Sequence, residues 1–257
     1  MYPISVQLYS LRGMMQAGYE KEDFVQVLKW VADIGYKGVE PAGFWGFTPK
    51  EFKRITDDLG LEISSSHSPW FREPEQIQEI VDTAGELGLR TACCGFGPND
   101  FKSPEDIKRT AGKVNKLREL AAQNGLTLFQ HNHAWEFAKL DGRYAYDIYL
   151  ELCPDIKFEI DAYWSANHGA NDPVEMVRRF RDRCILMHVK DGTFRPEIPM
   201  LPLGTGKMDI PAVIAAADPA VNKWVIVELD NCVIDMNYAL KLSYRYMVSN
   251  GICAGNK

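Results

Sequence analysis

The stretch Cys184-Ile185-Leu186-Met187-His188-Val189-Lys190 decides the fold. Residues two apart share a face of a strand. Ile185, Met187 and Val189 therefore make one wholly apolar face, while Leu186, His188 and Lys190 make the other, with the polar members at the C-terminal end. The same pattern precedes it in Lys157 to Tyr163, where Phe158, Ile160 and Ala162 oppose Glu159, Asp161 and Tyr163. It returns in Trp224 to Asp230, where Val225, Val227 and Leu229 oppose Ile226, Glu228 and Asp230. An apolar face covered by helices and an inner face that turns polar at one end is the signature of barrel strands.

Outward from these three strands, β-rich runs alternate with helical patterns along the chain: Ile4 to Tyr9, Gly38 to Pro41, Leu61 to His67, Thr91 to Phe96 and Leu126 to His133. The intervening helices are expected at Lys21 to Ile34, from near Thr48, from near Pro74, and at Pro104 to Asn124 with Gly125 as the stop. Further helices are expected at Tyr144 to Leu152, Asp172 to Asp182, Ile210 to Ala217 and Asp235 to Ser249. Eight strands each followed by a helix require parallel pairing, since only a crossover joins parallel neighbours. The expected fold is α/β, a single (β/α)8 TIM barrel over residues 1–257, in preference to an open doubly wound sheet with its Gly-rich phosphate loop.

Composition sets the class of partner. The 257 residues are 46% hydrophobic and 25% charged, with a net charge of −6 and a pI near 5.5. That balance argues against nucleic acid, whose phosphates need clustered Lys and Arg, and favours a small molecule. The six cysteines show no CxxC spacing and read as reduced thiols, and no apolar run reaches membrane-spanning length, so a cytoplasmic location is expected.

The inward alternation delivers Asp161, His188 and Glu228 to one ring at the C-terminal mouth. Isolated charges there cost several kcal/mol unless paired or bound to a cation, so a divalent metal is the expected occupant. The fifth strand, Phe129-Gln130-His131-Asn132-His133-Ala134-Trp135-Glu136-Phe137, leaves the fourth corner open, because Leu128 and Phe129 suit either orientation. Gln130, Glu136 and the His131/His133 pair all compete for it. Glu40 and His67, each at a strand end, are candidate substrate contacts, with Ser64 to Ser66 as alternative partners for His67. Gly204-Thr205-Gly206-Lys207 lacks Walker spacing but is short enough to close over a polyol or a phosphate.

In order, Gly35-Tyr36-Lys37-Gly38-Val39-Glu40, His131-Asn132-His133 with Glu136-Phe137, and Asp161-Ala162-Tyr163-Trp164 are followed by Gly169 and Asp172-Pro173. His188-Val189-Lys190-Asp191 and Glu228-Leu229-Asp230 complete the series. Together they resemble the sugar phosphate isomerase/epimerase family with its xylose-isomerase-like barrel, along nearly the whole chain. The resemblance implies one divalent metal, manganese first with magnesium, cobalt or zinc as alternatives, held by Glu, Asp, His and Glu. Asp161, His188 and Glu228 carry over. Where many members have a strand-five Glu this chain has Gln130, and the position is assigned to Glu136. The implied chemistry is proton abstraction beside a carbonyl through a metal-stabilised enediolate, with Glu136, Glu228, His131, His133 and Lys190 catalytic. Glu40, His67, Trp164 and Lys207 would contact a carbohydrate substrate. Elimination of a leaving group from a 3-keto sugar or glycoside is the second reading, and a non-catalytic sugar-binding barrel the third. A homodimer is expected by analogy, with no nucleic-acid or membrane partner.

Overall fold

In the computed structural model, which describes residues 1–15 and 21–257, eight parallel strands follow one another around a curled sheet. They are β1 (Tyr2–Gln7), β2 (Gly38–Glu40), β3 (Glu62–Ile63), β4 (Thr91–Cys94), β5 (Thr127–His131), β8 (Lys157–Asp161), β9 (Cys184–Val189) and β10 (Trp224–Val227). A short antiparallel hairpin, β6 (Lys139–Leu140) and β7 (Arg143–Tyr144), lies apart from them. The ladder order is β3-β2-β1-β10-β9-β8-β5-β4, so each barrel strand neighbours the next in sequence. This is the TIM-barrel arrangement that the repeats predict. The expected full closure is interrupted at one seam, between β3 and β4, where the Phe71 amide donates to the Cys93 carbonyl at 2.8 Å.

The shortness of β3 explains the seam. The expected strand Leu61 to His67 pairs as a ladder only over Glu62–Ile63. Beyond it Ser64 and His67 donate to the carbonyls of Val39 and Pro41, so the segment runs on beside β2 and turns its side chains into the mouth. A ninth strand not foreseen from sequence, β11 (Cys253–Ala254), pairs with the start of β1.

Local chemistry sets the helices. Thr48 and Glu51 form a capping box ahead of α2 (Pro49–Asp58), and Ser103 caps α4 (Pro104–Gln123), which ends before Gly125 at φ +73°. Asp172, Asp209 and Asp235 cap α7 (Pro173–Phe180), α8 (Ile210–Ala216) and α9 (Met236–Ser249). The outward faces of the strands join the helices in the main core, including Ile160, Met187 and Val227, all fully buried. Inside the barrel a separate apolar plug of Cys93, Phe129, Leu186 and Ile226 closes the floor. Phe129 in that plug settles what alternation left open: His131, two residues on, faces inward and Gln130 faces the helices. All six cysteines are free, and among the described residues no helix is long and apolar enough to cross a membrane.

Candidate active site

Above the apolar plug the strand ends turn polar. Register puts Asp161 beside His188 and His131 beside Glu159, with His188 beside Ile226 and Glu228 following two residues later. His131, Asp161, His188 and Glu228 are all buried, and each offers a ligand atom within 4.8 Å of the others. Two of these residues hold atoms that make no well-aligned hydrogen bond, Nδ1 of His131, 3.2 Å from Glu159 Oε2, and Oδ2 of Asp161, 3.1 Å from Lys190 Nζ. Buried polar atoms are nearly always satisfied. Two imidazoles and two carboxylates that converge within 4.8 Å, two of them with poorly satisfied atoms, therefore fit a divalent cation.

His188 is held from both sides. Nε2 lies 2.7 Å from Glu40 Oε2 and Nδ1 lies 2.8 Å from Glu228 Oε2. Glu40 is fixed in turn by donation from Gln7 Nε2 at 2.6 Å and from the Ser65 hydroxyl. It is fully buried and does not line the cavity, which corrects its expected role as a substrate contact. A carboxylate that engages one imidazole nitrogen and orients the other toward a cation is the common outer support of metal-binding histidines.

Glu159 is the residue the sequence reading left out. It is fully buried, its Oε2 lies 2.5 Å from His67 Nε2 and 3.2 Å from His131 Nδ1, and its Oε1 lies 3.3 Å from His188 Nε2. His67, His131, Glu159 and His188 form a second convergent group beside the first. Alternation already places Glu159 on the inner face two residues before Asp161, so the signal was present. The serines near His67 are engaged elsewhere, Ser64 with Ser5, Ser65 with Glu40 and Ser66 with the Ser68 carbonyl.

Glu136 does not join either group. Its Oε2 accepts from the His133 amide at 2.9 Å, its Oε1 has no partner, and burial pushes its carboxyl up to about 8. His131 rather than Glu136 stands with Asp161, His188 and Glu228, since the short helical turn Trp135–Phe137 carries Glu136 off the line of β5. Tyr163 also departs from expectation: the chain leaves β8 at Asp161, whose Oδ1 caps the turn Ala162–Ser165 by accepting from the Trp164 amide. Trp164 then packs with its ring 5.2 Å from Lys190 Nζ, outside the lining of the main cavity.

Lys190 sits 3.1 Å from Asp161, 2.8 Å from Glu228 and 2.7 Å from Asp230. Burial alone would depress its ammonium, but these carboxylates outweigh that and hold it well above the ordinary lysine value. His188 follows the same logic: burial lowers it, and Glu159, Glu40 and Glu228 lift it well above the usual range. His67 is raised by Glu40 and Glu159 against burial. His131 is driven well below by burial, and His133 falls to about 4 by burial and then by Lys190. Burial raises Asp161 to about 6 even with Lys190 and His188 opposing it. Glu228 is held well below the carboxylate range, Lys190 and His188 overcoming burial.

The mouth opens into a cavity of about 250 Å³ lined by Tyr9, Trp70, His67, His131, His133, Lys190, Glu228 and Asp230, with Ala42. That is just under the roughly 300–1,000 Å³ typical of drug-sized sites. Lys207 is exposed and absent from the lining. The amides of Gly204 and Gly206, with those of Gly192 and Met208, donate to the buried Asp191 carboxylate. The loop expected to close over a polyol or phosphate therefore spends these amides on its own anchor.

The barrel is that of a known family. Residues 28–242 match the model of the xylose isomerase-like TIM barrel. The chain belongs to that family. A curated relative, the inosose dehydratase of Geobacillus kaustophilus strain HTA426, is 23% identical over 190 residues, 65% of this chain and 61% of the relative. The match thus spans less than two thirds of that relative. A sugar phosphate isomerase/epimerase from Parabacteroides distasonis ATCC 8503 superposes with a TM-score of 0.79 at 24% identity, covering 98% of this chain and 96% of the other. The 3-keto-D-glucoside 4-epimerase of E. coli does so with a TM-score of 0.69 at 16% identity, covering 97% and 100%.

Proposed function

We propose that this chain is a divalent-metal-dependent enzyme that moves a proton beside a carbonyl of a carbohydrate, resulting in isomerisation or epimerisation. The observation that carries this reading is the convergence of four buried donors, His131, Asp161, His188 and Glu228, beneath a small cavity lined with acid and base groups. These four residues would hold the ion, and two imidazoles with two carboxylates suit manganese, cobalt or zinc better than magnesium. Bound there, the ion supplies a Lewis acid that polarises a carbonyl and its neighbouring hydroxyl.

The chain's own groups divide the remaining work. His133 lines the cavity as a neutral imidazole, with Nδ1 buried and unpartnered, leaving Nε2 as the nitrogen for accepting a proton. His67 lines it as a protonated ring, paired with Glu159, and supplies a proton. Two histidines whose environments push them in opposite directions make an acid and base pair at one pH. Lys190, kept cationic by its three carboxylates, steadies negative charge developing on a substrate oxygen. Tyr9 and Trp70 offer aromatic faces to the sugar ring.

The same proton abstraction becomes a dehydration or lyase reaction when a leaving group sits β to the carbonyl, and protonated His67 is the group that would assist its departure. The dehydratase relative favours keeping this reading second. NMR in D₂O on a panel of ketoses and 3-keto-glycosides, with Mn²⁺, separates the outcomes. Deuterium at one carbon with the skeleton intact supports the first reading, and loss of a hydroxyl or aglycone supports the second. Absence of any exchange, or full activity after chelation, sinks the metal-dependent proposal.

A further inference from the structure

The catalytic cavity has a neighbour. A second cavity of about 370 Å³ lies beyond His133 and is lined by Arg72, Gly95 to Gly97, Asp100, Lys113 and Trp135, with Glu73. His133 lines both cavities, and its ring stacks on Trp135 at 4.3 Å and 10°. The partition between the cavities is thus a flat pair of aromatic rings, one of which faces the proposed chemistry.

The second cavity holds one cation, Arg72, that has no carboxylate partner among the described residues. Arg72 Nε donates to the Gly95 carbonyl at 2.9 Å, and its guanidinium lies 5.2 Å from the Trp70 ring, a wall of the first cavity. No carboxylate of the described residues lies within ion-pair distance of it, whereas Lys113 in the same lining is paired with Glu73. Gly95 holds this corner open, since a Cβ there would lie 2.4 Å from Trp70. A guanidinium anchored by one nitrogen and backed by an indole presents its terminal donors in a fixed plane.

Resting on the carbohydrate reading above, we propose that this cavity is a second substrate subsite that takes a further hydroxyl-bearing ring. That ring would stack beside Trp135 and accept hydrogen bonds from Arg72, so the preferred substrates carry two rings rather than one. The volume supports this, because the space exceeds that of the catalytic cavity and far exceeds what a single phosphate or carboxylate fills. The mixed lining of indole, guanidinium and backbone suits a sugar face and its rim of hydroxyls.

Binding tests this without requiring turnover, so failure of the subsite and failure of the proposed reaction remain distinct. Saturation-transfer NMR on the full chain would compare methyl α-D-glucopyranoside with trehalose, maltose and cellobiose. At least one disaccharide is expected to bind roughly tenfold more tightly than the single ring. Arg72→Gln should reduce that ratio to near one. Gly97→Leu fills the same cavity from a position with ordinary φ, −86°, where a Cβ meets only Asp100 Oδ2 at 3.8 Å. It should do likewise in a protein whose melting temperature is unchanged. Equal affinity for one and two rings in the parent chain, or equal weakening of both probes in the two variants, overturns the proposal.

Discussion

Asp161, the last residue of β8, and Asp191, two residues past the end of β9, are both fully buried aspartates, and they face opposite situations. Asp191 accepts from four backbone amides, those of Gly192, Gly204, Gly206 and Met208, at 2.8 to 3.1 Å. Asp161 accepts from one amide through Oδ1, leaving Oδ2 without a hydrogen bond beside the Lys190 ammonium. A carboxylate saturated by its own backbone is finished as structure. One with an oxygen that makes no hydrogen bond, among converging imidazole and carboxylate groups, keeps that oxygen for a further partner.

The largest effect follows from that contrast. Asp161→Asn or Glu228→Gln removes an anionic donor from the convergent group, and activity in the presence of Mn²⁺ should fall by about 10³-fold or more. Thermal melting gives a second readout. Saturating Mn²⁺ at about a hundred times its dissociation constant should stabilise the parent chain by about 2.7 kcal/mol, and the variants should lose most of this gain. Parent and variant melting that respond equally to the metal would place the ion elsewhere.

Asp191 should show the converse, a loss of stability rather than of metal response. Asp191→Ala strands four amide donors in a buried loop, and an unsatisfied buried donor costs about 1–3 kcal/mol. With partial rescue by water, the unfolding free energy should fall by roughly 3 kcal/mol or more in urea titration. Gly206→Ala probes the same loop, because a Cβ there would lie 2.0 Å from Asp191 Oδ1. A variant of Asp191 that kept full stability while losing metal response would erase the distinction between the two aspartates.

Much of that distinction was legible in the sequence, and its failures are physical. Alternation in β8, β9 and β10 placed Asp161, His188 and Glu228 correctly, because each strand carries a wholly apolar outer face. It could not orient β5, where Leu128 and Phe129 are equally apolar, and only the plug of Cys93, Phe129, Leu186 and Ile226 turns His131 inward. Glu159 was legible as an inward carboxylate but not as the partner of three histidines, since His131 and His188 come from the flanking strands β5 and β9 and His67 from the segment after β3. Glu40 read as a strand-end acid, and its seat behind His188 depends on Gln7 and Ser65 from two other segments. The loop of Gly204 to Lys207 suggested a ligand through its glycines. Gly206 is there because Asp191 approaches too closely for a side chain, and Gly204, at φ +83°, because the Tyr246 ring does.

Glu136 lies between the two cases, buried like Asp191 and half satisfied like Asp161. Its carboxyl, raised by burial to about 8, is protonated in the fold and ionised in the unfolded chain at neutral pH. For a group raised in this way, the associated stability is fully present below the unfolded value and is lost as pH rises through about 8. Melting of the parent chain should therefore decline from about pH 5 to pH 8 by on the order of a few kcal/mol more than that of Glu136→Gln. The variant should keep its response to Mn²⁺. Loss of that response in Glu136→Gln would return this residue to the ligand set and displace His131.

Lys207 supplies the smallest effect and the sharpest check on the loop. It sits between the Gly206 and Met208 amides bound to Asp191, its own amide donates to the Gly192 carbonyl, and its side chain is exposed. Exposed substitutions away from such features stay within about 0.5 kcal/mol, so Lys207→Ala should leave melting and KM unchanged. A rise in KM confined to phosphorylated sugars would mean that the side chain reaches a substrate phosphate despite lying outside the cavity lining. The Asp191 loop would then serve binding as well as structure, and the contrast between the two aspartates would hold for their carboxylates but not for the segments they anchor.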